Sequence, residues 1–394
     1  MKKEKISRIA FVTAGVLPVP PTQGGAVENL VYNILLKNET NKDFEFDVFT
    51  IPYDSSKVSD NFEKSKFLPI ENKKDLLSAT KIPFFLKRFD PKFFAYPFFK
   101  NLLKKIKKKD YDFIIVENRP EFILALRKEK PKSKIILHLH NEYLSKKNQT
   151  NKRIISSCDL ILVVSSFIKK SITSVWGDIA DSKCKVLYNG VDDFFIDSKK
   201  ENNNDSFKIV FHGRVSPDKG VDLLVESLAP LSNSNIELKI IGGSWYDEGI
   251  KGKFFDRMKK TISNSGIKVS FTGYLSYEQI PKELSSADLI ALPSVWDDPF
   301  PLVILEAMAA KKIIVTTISG GIPEAVADTA ILLRKDVSRD VLRNELSKII
   351  SEIYNKPAKY KNLSDRAYDR YKKNFTVENM YQNFKEIILS QNKK

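Results

Sequence analysis

Histidine and cysteine are scarce in this chain: 394 residues hold 3 His and 2 Cys. Cys158 and Cys184 lie in apolar or strand-like contexts with no CxxC spacing, which reads as inert buried thiols in a reducing compartment. No apolar run approaches the roughly 20 residues that span a bilayer, so the chain reads as soluble or peripheral and cytoplasmic. The basic start MKKEKISRIAFVTAG has a short apolar stretch broken by Thr13 and no small-residue cleavage pattern, so it reads as a first strand rather than a signal peptide. GxGxxG is also missing, which argues against a dinucleotide enzyme. No low-complexity segment is long enough for wholesale disorder. With 42% apolar residues over this length, two hydrophobic cores are the prior.

Acidic residues are in deficit, with 49 Asp and Glu against 65 Lys and Arg, a net +16. Such a balance points to a polyanionic partner: nucleic acid, an anionic membrane surface or phosphorylated substrates. Ten basic residues and one acid lie between Lys81 and Lys109, interleaved with Phe84, Phe85, Phe89, Phe93, Phe94, Tyr96, Phe98 and Phe99. Aromatic and basic side chains together favour an interfacial membrane patch over a nucleic-acid groove. For residues 98–109 a core helix with a solvated lysine face is an equal reading, since Phe98, Phe99, Leu102, Leu103 and Ile106 follow helical spacing.

Short apolar runs alternate with amphipathic helical patterns along the whole chain. RIAFVTA (8–14), FEFDVFT (44–50), YDFIIVE (111–117), KIILHLH (134–140) and DLILVVS (159–165) read as strands. The polar, Asn- and Lys-rich stretch 191–206 reads as a linker. A second series runs through FKIVFHGR (207–214), IELKIIGG (236–243), KVSFTGY (268–274), DLIALPS (288–294) and KIIVTTIS (312–319). The fold class is therefore α/β, with two doubly wound domains, 1–190 and 207–375, and a final helix over 376–391. Open sheets of this kind bind ligands beyond the carboxyl ends of their strands, and two facing domains would form a cleft.

Motifs cluster at those strand ends. In PTQGGAVENLV (21–31), Gly24 and Gly25 would let backbone N–H groups approach an anion at a helix start, although an ordinary turn reads equally well. HLHNE (138–142) puts His138 and His140 on one strand face; His138 reads as a core histidine and His140 as a site residue. No carboxylate or Cys cluster in sequence completes a zinc ligand set. FHGRVSPDKGVDLL (211–224) ends a strand at His212-Gly213 and brings Arg214 and Lys219 to a helix start, a pairing suited to a diphosphate. SVWDDPFPLVILEAMAA (294–310) places Pro301 in a first helical turn, where its missing N–H is tolerated. Asp297 and Asp298 read as caps of that helix or as site groups. Glu306, inside the apolar helix, needs partners as a carboxylate, either a ligand's hydroxyl pair or a buried Arg.

In the order GGAVE, HLHNE, HGRVSPDKG, PSVWDDPFPLVILEAMA and GGIPE (320–324), these motifs resemble the retaining nucleotide-sugar glycosyltransferases of family 4, which have the GT-B fold. The resemblance implies that Arg214 and Lys219 bind the donor diphosphate and stabilise the leaving group. It matches Glu306 to the second carboxylate of an E-x7-E pair that holds the ribose hydroxyls, and Asp298 to the first, which contacts the transferred sugar. It further implies that Gly213, Phe300, Pro301 and Leu302 belong to loops approaching the donor, that Gly243 and Ser244 lie near the base, and that His140 lies near the sugar's reacting face. Gly24 and Gly25 match the loop that closes over the phosphate or acceptor, and the last helix would return to the first domain. The chain departs from the family pattern in three places: Asp298 is one methylene shorter than the usual Glu, Lys311 stands where AMAxG supplies Gly, and Ile313 replaces a common Pro.

The activity so implied is transfer of a hexosyl unit from a UDP-sugar to a glycan or lipid-linked acceptor with retention, in cell-surface polysaccharide or glycolipid assembly. It needs no cofactor or metal, since basic residues meet the leaving charge. The partners implied are the donor, the acceptor and an anionic membrane surface reached through Lys81–Lys109, at the inner face of the cytoplasmic membrane, and not nucleic acid. The alternatives are a sugar-nucleotide epimerase and a non-catalytic scaffold or surface-layer protein of the same fold.

Overall fold

The computed structural model describes residues 6–71, 96–193, 206–243 and 253–392. The chain divides into two compact units, Met1–Tyr188 with Met380–Lys394, and Asn189–Asn379.

The first unit is built on seven parallel strands: β1 (Ser7–Val12), β2 (Phe44–Thr50), β3 (Ser65–Pro69), β4 (Phe113–Glu117), β5 (Lys134–Leu139), β6 (Leu160–Val163) and β7 (Cys184–Val186). Their order is β3-β2-β1-β4-β5-β6-β7. The central strands β1, β4 and β5 are largely apolar and buried on both faces, apart from Arg8 and Lys134 near their starts, as a sheet covered by helices on each side requires. Helices start where side chains can satisfy orphan N–H groups: Asn148 accepts from Asn151 N–H and Ser165 from Ile168 N–H. Helix Tyr96–Ile106 buries Phe98, Leu102 and Ile106, one face at four-residue spacing, and Phe99 stacks on Phe122 at 3.9 Å. Lys100, Lys104 and Lys105 lie on the exposed side. Over residues 98–106 the aromatic and basic pattern is therefore a core helix with a lysine face, followed by an exposed lysine turn at 107–109; residues 81–95 of the expected membrane patch lie outside the described residues. The final helix, Val377–Asn392, joins this unit through Tyr381 Oη, 3.1 Å from Asn38 Oδ1 and 2.9 Å from Asp43 Oδ2, and through Phe384 edge-on to Phe44.

The second unit has six parallel strands, β8 (Phe207–His212), β9 (Ile236–Ile241), β10 (Lys268–Gly273), β11 (Leu289–Leu292), β12 (Ile313–Thr317) and β13 (Ile331–Leu333), in the order β10-β9-β8-β11-β12-β13. Three strands, β3, β7 and β13, escape the periodicity reading. All three are short and sit at or next to a sheet edge, where the apolar run that betrays a central strand is not required. Lys311 has φ 56, the left-handed conformation that a glycine would adopt without strain, and its Nζ is 2.7 Å from Asp365 Oδ1. Cys158 and Cys184 are buried and free, and burial pushes their thiols up to about 12 and about 11. Among the described residues no helix is long and apolar enough to cross a membrane.

Candidate functional site

Each sheet reverses its strand order once, between β1 and β4 in the first unit and between β8 and β11 in the second. Loops that leave such a pair of strands diverge, and the crevice between them is where doubly wound sheets take ligands. The motif residues lie at both points.

In the second unit, the loop after β8 carries Gly213, Arg214 and Lys219 and the loop after β11 carries Asp298. They are joined by backbone: Asp218 O accepts from Val295 N–H at 3.0 Å and from Trp296 N–H at 3.2 Å. Lys219 Nζ pairs with Asp298 Oδ2 and lies 4.9 Å over the Trp296 ring. Arg214 Nη2 is 3.4 Å from Asp218 Oδ2, a half-exposed and therefore weak pair. Gly320, at φ 54, presses on the same loop; a Cβ there would lie 2.2 Å from the Asp298 carbonyl oxygen. Gly321 N–H donates to that carbonyl at 2.7 Å. The two adjacent acids have separate tasks. Asp297 accepts from Gly320 N–H at 2.9 Å and from Lys335 Nζ at 3.0 Å, holding the loop after β12, whereas Asp298 faces Lys219. Neither caps the following helix, Leu302–Ala309, whose N-cap is Pro301 without a side-chain bond.

That helix buries Ile304, Leu305, Ala307 and Met308 completely. Glu306 is 4% exposed, and its Oε2 has no hydrogen-bond partner. His212 Nδ1 lies 3.1 Å away, within ion-pair distance, but it is also without a hydrogen bond, so the two atoms are close without being aligned. Burial, with the charges of Glu306 and Asp192, raises the Tyr277 phenol well above its ordinary value, which brings this side chain into the same neighbourhood. Phe300 turns its ring into the core, 5.6 Å from Phe375, and its carbonyl accepts from Asn189 Nδ2 at 3.0 Å. Only its backbone belongs to the loop. Pro301 is buried beside it and Leu302 half-buried. Gly243 O accepts from Val215 N–H at 3.0 Å, tying the end of β9 to the loop after β8. Ser244 lies outside the described residues.

In the first unit, Gly25 is the N-cap of helix Ala26–Asn41 at φ 110, and a Cβ on it would lie 2.2 Å from Glu28 Oε2. Gly24, just before it, has φ 76. The chain's own Glu28 carboxylate therefore stands at the helix start that the glycine pair was expected to open to an anion. Burial, opposed by its own backbone N–H, raised further by Glu117 and lowered by Arg119, brings Glu28 up to about 7. Glu117, at the end of β4, is fully buried between both histidines, with Oε1 3.0 Å from His138 Nδ1 and Oε2 3.0 Å from His140 Nε2. Burial alone would raise Glu117, but the two imidazoles hold it down to about 2. His140 is lowered by burial and by His138, against the pull of Glu117. Asn118, at φ 53, accepts from His140 N–H at 3.1 Å, and Arg119 Nε donates to Ala14 O at 2.9 Å, linking the loops after β1 and β4.

The expectation that no carboxylate or Cys cluster completes a ligand set with the histidines is corrected in one respect, since a carboxylate joins them. Glu117, His138 and His140 form a buried group with ligand atoms within 4.8 Å of one another. Glu117 lies 21 residues before His138, and only the adjacency of β4 and β5 brings them together. Both ring atoms that face Glu117 are already within hydrogen-bond distance of its oxygens, so the carboxylate orients the imidazoles directly. His138 Nε2 has no partner, so His138 is half satisfied. The chain's three histidines all end against a carboxylate. Glu28, Glu117, Arg119, His212 and Tyr277 are the residues that motif reading left out of the site. Asp110 and Asp112, a D-x-D pair at the start of the YDFIIVE stretch, lie at the amino end of β4, where Asp112 Oδ2 accepts from Arg8 N–H at 2.8 Å.

Two family models match in succession, Glycosyltransferase Family 4 over residues 36–193 and Glycosyl transferases group 1 over residues 192–370. A Bacillus subtilis protein described as a glycosyltransferase, YtcC, is 25% identical over 92% of this chain and 83% of its own length. The lipopolysaccharide 1,2-N-acetylglucosaminetransferase of Salmonella typhimurium is 23% identical over 97% of this chain and 98% of its own. Among solved structures, Anabaena HepE in complex with UDP and glucose superposes with a TM-score of 0.71 at 18% identity, covering 98% of this chain and all of that one. With the two parallel sheets, these matches establish the GT-B fold.

Proposed function

Since this chain belongs to the GT-B glycosyltransferases of the family 4 type, we propose that it is a retaining, metal-independent hexosyltransferase using a nucleoside diphosphate sugar, with UDP as the nucleotide. The observation that carries the reading is Glu306, a buried carboxylate with an unpaired oxygen at the β8/β11 switch point, in the same loop cluster as Arg214, Lys219 and Asp298. A ribose hydroxyl pair satisfies such a carboxylate, because each hydroxyl donates one hydrogen bond and brings no charge. UDP and glucose in HepE support the choice of donor.

In this reading the bond between the sugar's anomeric carbon and the diphosphate oxygen breaks, and the pair of electrons leaves on the diphosphate. Arg214 and Lys219 meet that charge, an electrostatic contribution of the kind that often dominates catalysis. The acceptor oxygen bonds to the anomeric carbon on the face the leaving group vacates, and its proton passes to the departing phosphate. Asp298 holds Lys219 in place and contacts the transferred sugar, and Glu117 orients His140 within the first unit. Glycan or lipid-linked acceptors fit the basic balance of the chain, and a peripheral position on the inner face of the cytoplasmic membrane follows from the same charge. The relative from Salmonella acts on lipopolysaccharide, which supports an acceptor of that class.

The test is thermal stabilisation of the full chain by UDP, GDP and ADP and their sugars, followed by nucleoside diphosphate release with and without acceptor lipid. UDP and UDP-sugars raise the melting temperature by mass action, and release depends on acceptor in the presence of EDTA. Stabilisation by none of the three nucleotides would refute the reading.

A further inference from the structure

His212 has no role in the motif assignments above, yet it stands beside an unsatisfied carboxylate oxygen of the donor site. Its Nδ1 and Glu306 Oε2 are 3.1 Å apart, both side chains are about nine-tenths buried, and neither atom makes a hydrogen bond. A buried polar atom without a partner costs free energy that a ligand can recover. Two such atoms side by side, one able to donate and one able only to accept, match a single group that does both. A hydroxyl is that group: placed about 2.8 Å from each, its oxygen accepts from Nδ1–H while its proton goes to the carboxylate. A phosphate oxygen cannot fill this place, because Glu306 would repel it, and an ammonium group has no lone pair to accept from the imidazole.

We propose that His212 is a donor-binding residue, which with Glu306 forms a two-sided clamp on one ribose hydroxyl of the nucleotide. The inference rests on the assignment of Glu306 to the ribose. Burial first, and then the charges of Glu306 and Asp192, keeps the nearby Tyr277 phenol neutral. The clamp explains why β8 ends in a histidine: the last residue of the strand is carried by the sheet to a fixed place, while the facing helix turn fixes Glu306.

The experiment measures binding of UDP and of 2′,3′-dideoxy-UDP by calorimetry to the wild-type chain and to His212→Phe and His212→Asn. Phenylalanine keeps the ring's bulk without the donor; the asparagine amide nitrogen falls near the position of Nδ1. The wild type prefers UDP. His212→Phe weakens UDP about tenfold, the size of one lost hydrogen bond in a buried site, and leaves dideoxy-UDP unchanged, while His212→Asn restores most of the preference. Equal losses for both ligands in the Phe variant, or no loss for either, overturn the clamp while leaving the Glu306 assignment standing. A wild type that does not distinguish the two ligands removes the ribose assignment itself, and the clamp with it.

Discussion

Glu28 offers the most direct check on the electrostatics of the first unit. Its carboxyl is raised from 4.5 to about 7, chiefly by burial and then by Glu117, against the help of its own N–H and of Arg119. A carboxyl raised on folding holds its proton in the folded chain at pH values where the unfolded chain has lost it. Stability contributed this way is complete below about 4.5 and falls as pH rises toward 7, after which the buried charge is carried in full. At 1.36 kcal/mol per unit the shift is worth about 3 kcal/mol. Glu28→Gln keeps the shape and the acceptor oxygen but never ionises. It should leave stability nearly unchanged at pH 4.5 and raise it by about 3 kcal/mol at pH 8.5, more than a hundredfold in the equilibrium constant. Amide hydrogen exchange of Val31, Ile34 and Leu35, buried on the same helix, reads the difference between variant and wild type at each pH. His140 is lowered by its own burial and titrates with the opposite sign, but it is present in both proteins and largely cancels in the comparison. A variant that shifts protection equally at both pH values, or lowers it at pH 8.5, would show that Glu28 is not a buried carboxylate under strain.

Lys219→Ala should cut turnover with a UDP-sugar by about a hundredfold or more, the scale of a lost charge stabiliser, and cost about 3 kcal/mol by leaving Asp298 without its lysine, the low end for a buried pair. Adding Asp298→Ala should return most of that stability in a urea titration and none of the turnover; recovery of activity in the double variant would contradict the leaving-group role. Glu117, held down to about 2 against an ordinary 4.5, contributes about 3 kcal/mol that is present above 4.5 and lost as pH falls toward 2. Glu117→Gln should flatten that acid limb in unfolding midpoints taken from pH 5 to pH 2, and an unchanged limb would mean the imidazoles do not hold the carboxylate.

Much of the architecture is legible in one dimension because parallel strands covered on both faces must be continuously apolar. FEFDVFT matches β2 residue for residue, and the other central strands differ only at their ends. The exceptions have a common cause. SKFLP, CKV and ILL form β3, β7 and β13 at or near sheet edges, where a neighbour's hydrogen bonds suffice and the pattern carries little signal. The lysine-rich helix 96–106 was ambiguous because a core face and a membrane face have the same periodicity. Burial of Phe98, Leu102 and Ile106 settles it within that helix.

By itself the sequence determined the two α/β series, the order of the motifs and the residue types at strand ends, since each depends on local spacing and on chain order. It singled out Arg214, Lys219, Asp298 and Glu306 because their chemistry is conspicuous in loops and in an apolar helix. Tertiary structure alone decided which of them touch: Lys219 with Asp298 across 79 residues, Glu117 with both histidines across neighbouring strands, and Glu306 with His212 rather than with an arginine. It also separated Asp297, which holds a loop, from Asp298, which faces a lysine. These partnerships arise from strand order and loop packing. Parallel strands adjacent in a sheet can be far apart in the chain, and no local pattern records which strand lies beside which.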